Sequence, residues 1–309
     1  MEHRNRFRGS ILGLATGDAV GTTLEFRQPG SFKPITDMVG GGPFNLKAGE
    51  WTDDTSMMLC LGTSLVVCRG FDPVDQMERY VRWYRTGYMS SNGECFDIGS
   101  TVGKALVEFE YSPRPYCGSS SVYTAGNGSL MRLAPVPLTF VNNPAKAIDT
   151  AALSSRTTHG ALVSIDACRY MAALIVGALN GESKDEILSA PYSPVTEYWQ
   201  KHPLCPEIKA IALGSYKNSE PPQIKGTGYA ADALEASLWA FHNSNSFEEG
   251  CLKAVNLGND ADTTGAIYGQ LAGAYYGIEG IPPNWVQRLA KRTDLEELAD
   301  QLFALSTAL

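Results

Sequence analysis

The sequence predicts an all-α protein, and three observations carry that expectation. Apolar residues recur at helical spacing in seven separate segments. No strand–helix–strand alternation runs along the chain, which disfavours a parallel α/β sheet. Glycine recurs every four residues in two places, at Gly9, Gly13, Gly17 and Gly21 and at Gly265, Gly269, Gly273 and Gly277. A glycine costs about 1 kcal/mol relative to alanine in a helix interior. Two such stripes need compensation, and close backbone-to-backbone packing of central helices supplies it. The membrane reading of this spacing is opposed by Arg8 and Asp18 in the first segment and by Asp262 just before the second.

The segments follow in order. Residues 6–20 place Phe7, Ile11, Leu14 and Ala15 on one side. Residues 55–68 (TSMMLCLGTSLVVC) and 74–85 (VDQMERYVRWYR) come next, the latter with Pro73 as its first helical residue. Residues 161–179 are Ala-rich and nearly all apolar. Residues 228–242 put Leu234, Leu238 and Phe241 on one stripe, and 263–276 and 285–307 complete the set. LAPVPLTFV (133–141) is the best strand candidate, and its prolines demote it. The long irregular stretches are 28–50, 111–130 and 181–227. None resembles a linker between independent domains. The chain therefore reads as one domain over 1–309, with the polar 181–227 stretch as a variable surface segment.

Composition narrows the function. A formal net charge of −8 over 309 residues argues against a protein that wraps a nucleic-acid backbone. It suits a site that collects cations. The seven cysteines form no C-x-x-C pair, which argues against a disulfide framework or a zinc ribbon and for a reducing cytoplasm. The N-terminal apolar run is interrupted by Asp18 and lacks a small-residue cleavage site, against export. No stretch reaches about 18 uninterrupted apolar residues, against a membrane span. Nothing long and amphipathic suggests a coiled-coil partner, so a monomer is expected.

Two acidic clusters carry the chemistry. The first is Thr52-Asp53-Asp54-Thr55 and the second is Asp260-Ala261-Asp262-Thr263, each just before an apolar helix. Helix capping favours these residue types, but it accounts poorly for adjacent carboxylates, which repel one another. Oxygen donors of this kind select hard cations such as Mg²⁺, Mn²⁺ or Ca²⁺. His3, His159, His202 and His242 show no zinc-hydrolase spacing. DADTT also matches the D-x-D-x-T of phosphatases that form an aspartyl phosphate. That motif should end a buried strand early in an α/β domain, and here it precedes a helix near the C-terminus.

Motifs along nearly the whole chain resemble the ADP-ribosylglycohydrolases, in particular the bacterial dinitrogenase reductase activating glycohydrolase group. They include GLATGDAVG (13–21), GEWTDDTSM (49–57), GECFDIGSTV (93–102), GNGSLMRLAPVP (126–137), SSRTTHG (154–160) and GNDADTTGAIYGQLAGAYYG (258–277). The resemblance implies a compact orthogonal multi-helix bundle with two divalent cations, Mg²⁺ or Mn²⁺, in a cleft. It implies Thr52, Asp53, Asp54, Asp260, Asp262 and Thr263 as metal ligands. It places Glu25 and Asp97 at the catalytic centre. Gly126, Asn127, Gly128, Ser129, Ser100, His159 and Tyr229 fall around the substrate. Asp18 reads as a buried group supporting the ligands. Two positions depart from the family pattern: Asn259 stands where a glycine is usual, and Ser100 where close relatives have asparagine.

The expected activity is hydrolysis at C1″ that removes ADP-ribose from a modified protein side chain, with ADP-ribosyl-arginine as substrate and ADP-ribose as product. Two alternatives stay open. One is the same fold acting on serine-linked ADP-ribose, poly(ADP-ribose), O-acetyl-ADP-ribose or modified nucleic acid. The other is a non-catalytic ADP-ribose binder.

Overall fold

A computed structural model describes residues 2–309. Fifteen α-helices account for the architecture. In chain order they are α1 (Glu2–Gly21), α2 (Asp53–Val67), α3 (Pro73–Thr86), α4 (Ser100–Tyr111), α5 (Pro135–Thr139), α6 (Pro144–Arg156), α7 (Leu162–Leu179) and α8 (Lys184–Ile187). They continue with α9 (Tyr198–Lys201), α10 (Pro206–Ala212), α11 (Ala230–His242), α12 (Phe247–Val255), α13 (Ala261–Tyr276), α14 (Pro283–Arg288) and α15 (Arg292–Ser306). Among the described residues there is no sheet, only isolated bridges such as Gly126 with Tyr229. The all-α expectation holds.

The helices α1 and α13 form the axis of the molecule, and the two glycine stripes face each other along it. A Cβ built on Gly9 would overlap the carbonyl of Gly273. One on Gly13 would overlap Gly269, and one on Gly17 would overlap Gly265. A Cβ on Gly21 would meet Ala261. The order is antiparallel, so the last turn of α1 lies against the first turn of α13. No other residue permits this approach, and the close packing offsets the low helix propensity of glycine.

The strand candidate at 133–141 forms a short helix instead. Pro135 occupies the first helical position of α5, where its missing N–H is not needed, and Pro137 stays within the first turn. The 285–307 segment is two helices, α14 and α15, broken where Lys291 takes a left-handed φ of 46°. The 181–227 segment is not purely superficial. It carries α8, α9 and α10, and its Ile187, Ile208 and Tyr216 are fully or almost fully buried in the same core that holds Phe7 and Leu302. Polar composition conceals these apolar anchors. Helix α7 has the length and hydropathy of a membrane span, but 83% of it is buried inside the protein, as befits a central core helix.

Candidate metal centre and active site

The antiparallel axis has a direct consequence for the acids. It brings the start of α13, with Asp260, Asp262 and Thr263, beside the end of α1, which carries Asp18. The start of α2 joins them from the side. Two helix N-termini therefore converge on one point, and their dipoles favour negative charge there.

Capping does not explain the clusters. Thr52 and Asp260 are the N-cap residues of α2 and α13, and neither side chain caps its own helix. For α2 the capping group comes from α1. Asp18 Oδ1 accepts from the Thr52 backbone N–H at 2.9 Å and from its hydroxyl at 3.0 Å. Asp18 Oδ2 accepts from the Thr55 N–H at 3.1 Å and from its hydroxyl at 2.6 Å. These four donors fill the lone pairs of the carboxylate. Asp18 is thus a support and not a free ligand, although one of its oxygens lies within 4.8 Å of ligand atoms of Asp54 and Asp262. The Thr52 hydroxyl also reaches Asp262 Oδ2 at 3.3 Å. Its one proton goes to the nearer Asp18, which leaves oxygen lone pairs facing the cluster.

Asp262 links two groups of acids. Its oxygens approach Asp18 and Asp54 on one side and Glu25 and Asp97 on the other, each group within 4.8 Å. Thr263 Oγ1 donates to Asp54 Oδ1 at 3.2 Å. Asp54 Oδ2, Asp262 Oδ1 and Glu25 Oε2 are buried without a hydrogen-bond partner. Burial, then repulsion from Asp97 and Asp262, holds Asp53 well above the usual carboxylate range. Burial, then Asp18 and Asp262, does the same for Asp54. Burial, then Asp97 and Asp260, does so for Asp262. Burial also pushes Glu25 up to about 12, with Asp262 and Asp97 adding to it, and Asp97 up to about 7. Acids packed this closely cannot all ionise without compensating positive charge. Orphaned oxygens and an all-oxygen donor set fit hard divalent cations.

Above the acids opens a cavity of ≈ 800 Å³. Glu25, Asp53, Asp97, Ser100, Gly126, Asn127, Gly128, His159, Asp260 and Thr263 line it. Thr52, Asp54 and Asp262 are buried and do not line it themselves; Asp262 meets it through Glu25 and Asp97, whose oxygens lie within 4.8 Å of its own. The loop carrying Glu25 is pinned to the second cluster: Phe26 N–H donates to the Asn259 carbonyl at 2.6 Å, and Asn259 N–H to the Arg27 carbonyl at 2.7 Å. Asn259 has a φ of 54°. Asparagine tolerates this left-handed conformation better than other non-glycine residues, so it preserves the turn for which a glycine is usual. Asp97 is also left-handed, with a φ of 60°, which costs about 1–3 kcal/mol and is characteristic of functional sites.

The glycine turn connects to the second acidic cluster through Asn127, whose Nδ2 donates to Asp260 Oδ2 at 2.6 Å and to the Thr227 carbonyl at 3.3 Å. His159 lies beneath this turn. A Cβ on Gly126 would stand 3.3 Å from its Nε2, and one on Gly128 3.2 Å. Two expected substrate residues stand apart. Ser129 is buried, its hydroxyl paired with that of Ser155 at 2.8 Å, and it is absent from the cavity lining. Tyr229 is also outside the lining; its backbone bridges to Gly126 and its ring is exposed. Sequence reasoning placed Thr55 in the first cluster without giving it a role, and missed Arg132 and Thr158. Only Arg132 carries a signal, as a lone charge in the apolar run LMRLAPVPL.

Comparison with known proteins identifies the family to which this fold belongs. A protein named ADP-ribosylarginine hydrolase Tri1 from Pseudomonas putida (strain GB-1) is 44% identical over 97% of this chain and 78% of its own length. The ADP-ribosyl-[dinitrogen reductase] glycohydrolase of Rhodospirillum rubrum is 30% identical over 98% of this chain and 97% of its own. A solved structure described as an ADP-ribosylglycohydrolase-related protein complex superposes with a TM-score of 0.86 at 43% identity, covering 99% of both chains. Residues 1–308 match the family model for ADP-ribosylglycohydrolase. The chain belongs to the ADP-ribosylglycohydrolase family.

Proposed function

We propose that this protein hydrolyses the N-glycosidic bond of ADP-ribosyl-arginine in modified proteins and releases ADP-ribose. The observation that carries this reading is the pair of acid groups sharing Asp262, one of which reaches the cavity through Glu25 and Asp97. The name of the Pseudomonas putida relative supports the arginine linkage.

Thr52, Asp53, Asp54, Asp260, Asp262 and Thr263 would hold two divalent cations, Mg²⁺ or Mn²⁺. Bound there, such ions supply the positive charge that grips a sugar diol and lowers the pKa of a water. Asn127 keeps Asp260 oriented from the opposite wall. Glu25 and Asp97 present carboxyl oxygens beside Asp262. A guanidinium fits such a group by forked hydrogen bonds. Cleavage develops positive charge on the ribose ring, and these carboxyl groups, ionised once positive charge offsets their mutual repulsion, would stabilise it. Water adds at C1″, and the guanidino nitrogen leaves with the proton that the water gives up. The turn at Gly126–Gly128 and the start of α4 offer neutral N–H donors for the diphosphate, as helix termini do for anions.

One domain, acting as a monomer in the cytoplasm, completes the reading. The seven unpaired cysteines support a reducing compartment. The test is release of free ADP-ribose from an ADP-ribosyl-arginine peptide, with Mg²⁺, with Mn²⁺ and with EDTA. Metal-dependent release supports the proposal. Absence of release alongside intact ADP-ribose binding would reject the arginine linkage.

A further inference from the structure

Arg132 is fully buried, and none of its hydrogen bonds goes to a carboxylate. Its guanidinium lies over the Tyr80 ring, 4.5 Å from the centroid. Nη2 donates to Thr158 Oγ1 at 2.7 Å and to Thr157 Oγ1 at 3.3 Å. The Thr158 hydroxyl lies in turn 2.9 Å from His159 Nδ1.

The direction of this relay follows from donor chemistry. Arginine has donors only, so Thr158 Oγ1 accepts from Arg132. The Thr158 proton is then directed to His159 Nδ1, which must be the bare, accepting nitrogen. The opposite assignment would leave the Thr158 proton without an acceptor among the described residues. Burial, reinforced by the charge of Arg132, pushes His159 down to about 3, so the ring is neutral. A neutral imidazole carries one proton, and here it sits on Nε2, the nitrogen beneath the Gly126–Gly128 turn.

Among the described residues no lysine or arginine lines the cavity. An anion bound there depends on neutral donors in contact with it and on positive charge behind them. We infer that Arg132 and Thr158 are positioning residues that lock His159 as an Nε2–H donor to an anionic oxygen of the ligand, a phosphate oxygen of a nucleoside diphosphate sugar. The identity of that acceptor rests on the ADP-ribose reading proposed above; the protonation of the ring does not.

The tautomer is read directly by long-range proton–nitrogen correlation on histidine-labelled protein, with His159→Gln to assign the signal. The wild type should show a proton on Nε2 alone. Thr158→Val should lose this single-tautomer signature, and Thr158→Ser should restore it. Titration should show about ten-fold weaker ADP-ribose binding for Thr158→Val, with adenosine binding unchanged. A proton on Nδ1 in the wild type, or a Thr158→Val protein that keeps the wild-type signature, would overturn the relay. Equal weakening of adenosine and ADP-ribose would overturn the diphosphate contact. Failure to hydrolyse ADP-ribosyl-arginine would overturn the substrate reading alone, since the tautomer is measured without turnover.

Discussion

Asp18 Oδ1 accepts both the backbone N–H and the hydroxyl of Thr52, at 2.9 Å and 3.0 Å. A residue inside one helix thereby caps another and fixes the direction in which the Thr52 hydroxyl presents its lone pairs. Asp18→Asn keeps the shape and loses two of the four acceptor positions. It should lower Mn²⁺ affinity about 10–100-fold, measured by calorimetry on the purified protein. Affinity within a factor of two of wild type would remove Asp18 from the metal centre.

The acids are mutually repulsive in the metal-free protein. Asp262→Asn should therefore raise the stability of EDTA-treated protein by roughly 1 kcal/mol. It should also abolish the rise in melting temperature that Mg²⁺ or Mn²⁺ gives the wild type. Thermal denaturation with and without metal checks both signs, and a destabilised apo variant would show that repulsion does not dominate there.

The glycine axis makes a paired prediction. Gly13→Ala and Gly269→Ala each set a methyl group against a carbonyl of the facing helix, and should cost about 1–3 kcal/mol. Gly103, within α4, has only the Ile98 side chain near its Cβ position, at 3.8 Å. Gly103→Ala should stabilise the protein by about 0.4–1 kcal/mol. Urea denaturation of the three variants provides the comparison.

Asp300, in α15, receives Nε and Nη2 from both Arg4 and Arg8, at 2.5–2.9 Å. These hydrogen bonds hold its carboxyl well below the usual range. Its folded pKa lies below its unfolded value, so the stabilisation is complete above about pH 4 and disappears as pH falls through the folded pKa. Asp300→Asn should lose about 1 kcal/mol at neutral pH. The gap to wild type should close in strong acid, as followed by denaturation midpoints across pH.

Much of this was legible in the residues. The two glycine stripes announced a close helix pair, because nothing else compensates glycine at that spacing. Asp53-Asp54 and Asp260-x-Asp262 announced an acidic cluster that could hold a cation, because capping needs one acid and not two. Other features are invisible along the chain. Pro135 and Pro137 read as breaks in a strand, since sequence does not say which prolines fall in a first helical turn. Ile208 and Tyr216 lie in a polar stretch whose average conceals their burial. Thr158 is an ordinary threonine until the fold sets it between a buried arginine and a histidine.

The helices that meet along the glycine axis come from opposite ends of the chain, and Thr52 and Asp262 are 210 positions apart. During synthesis Asp53 and Asp54 wait, without Asp260 and Asp262 beside them, until α13 has emerged. No fragment ending before α13 can assemble the cluster. Cation binding at this cluster would therefore report on the closure of α1 and α2 against α13.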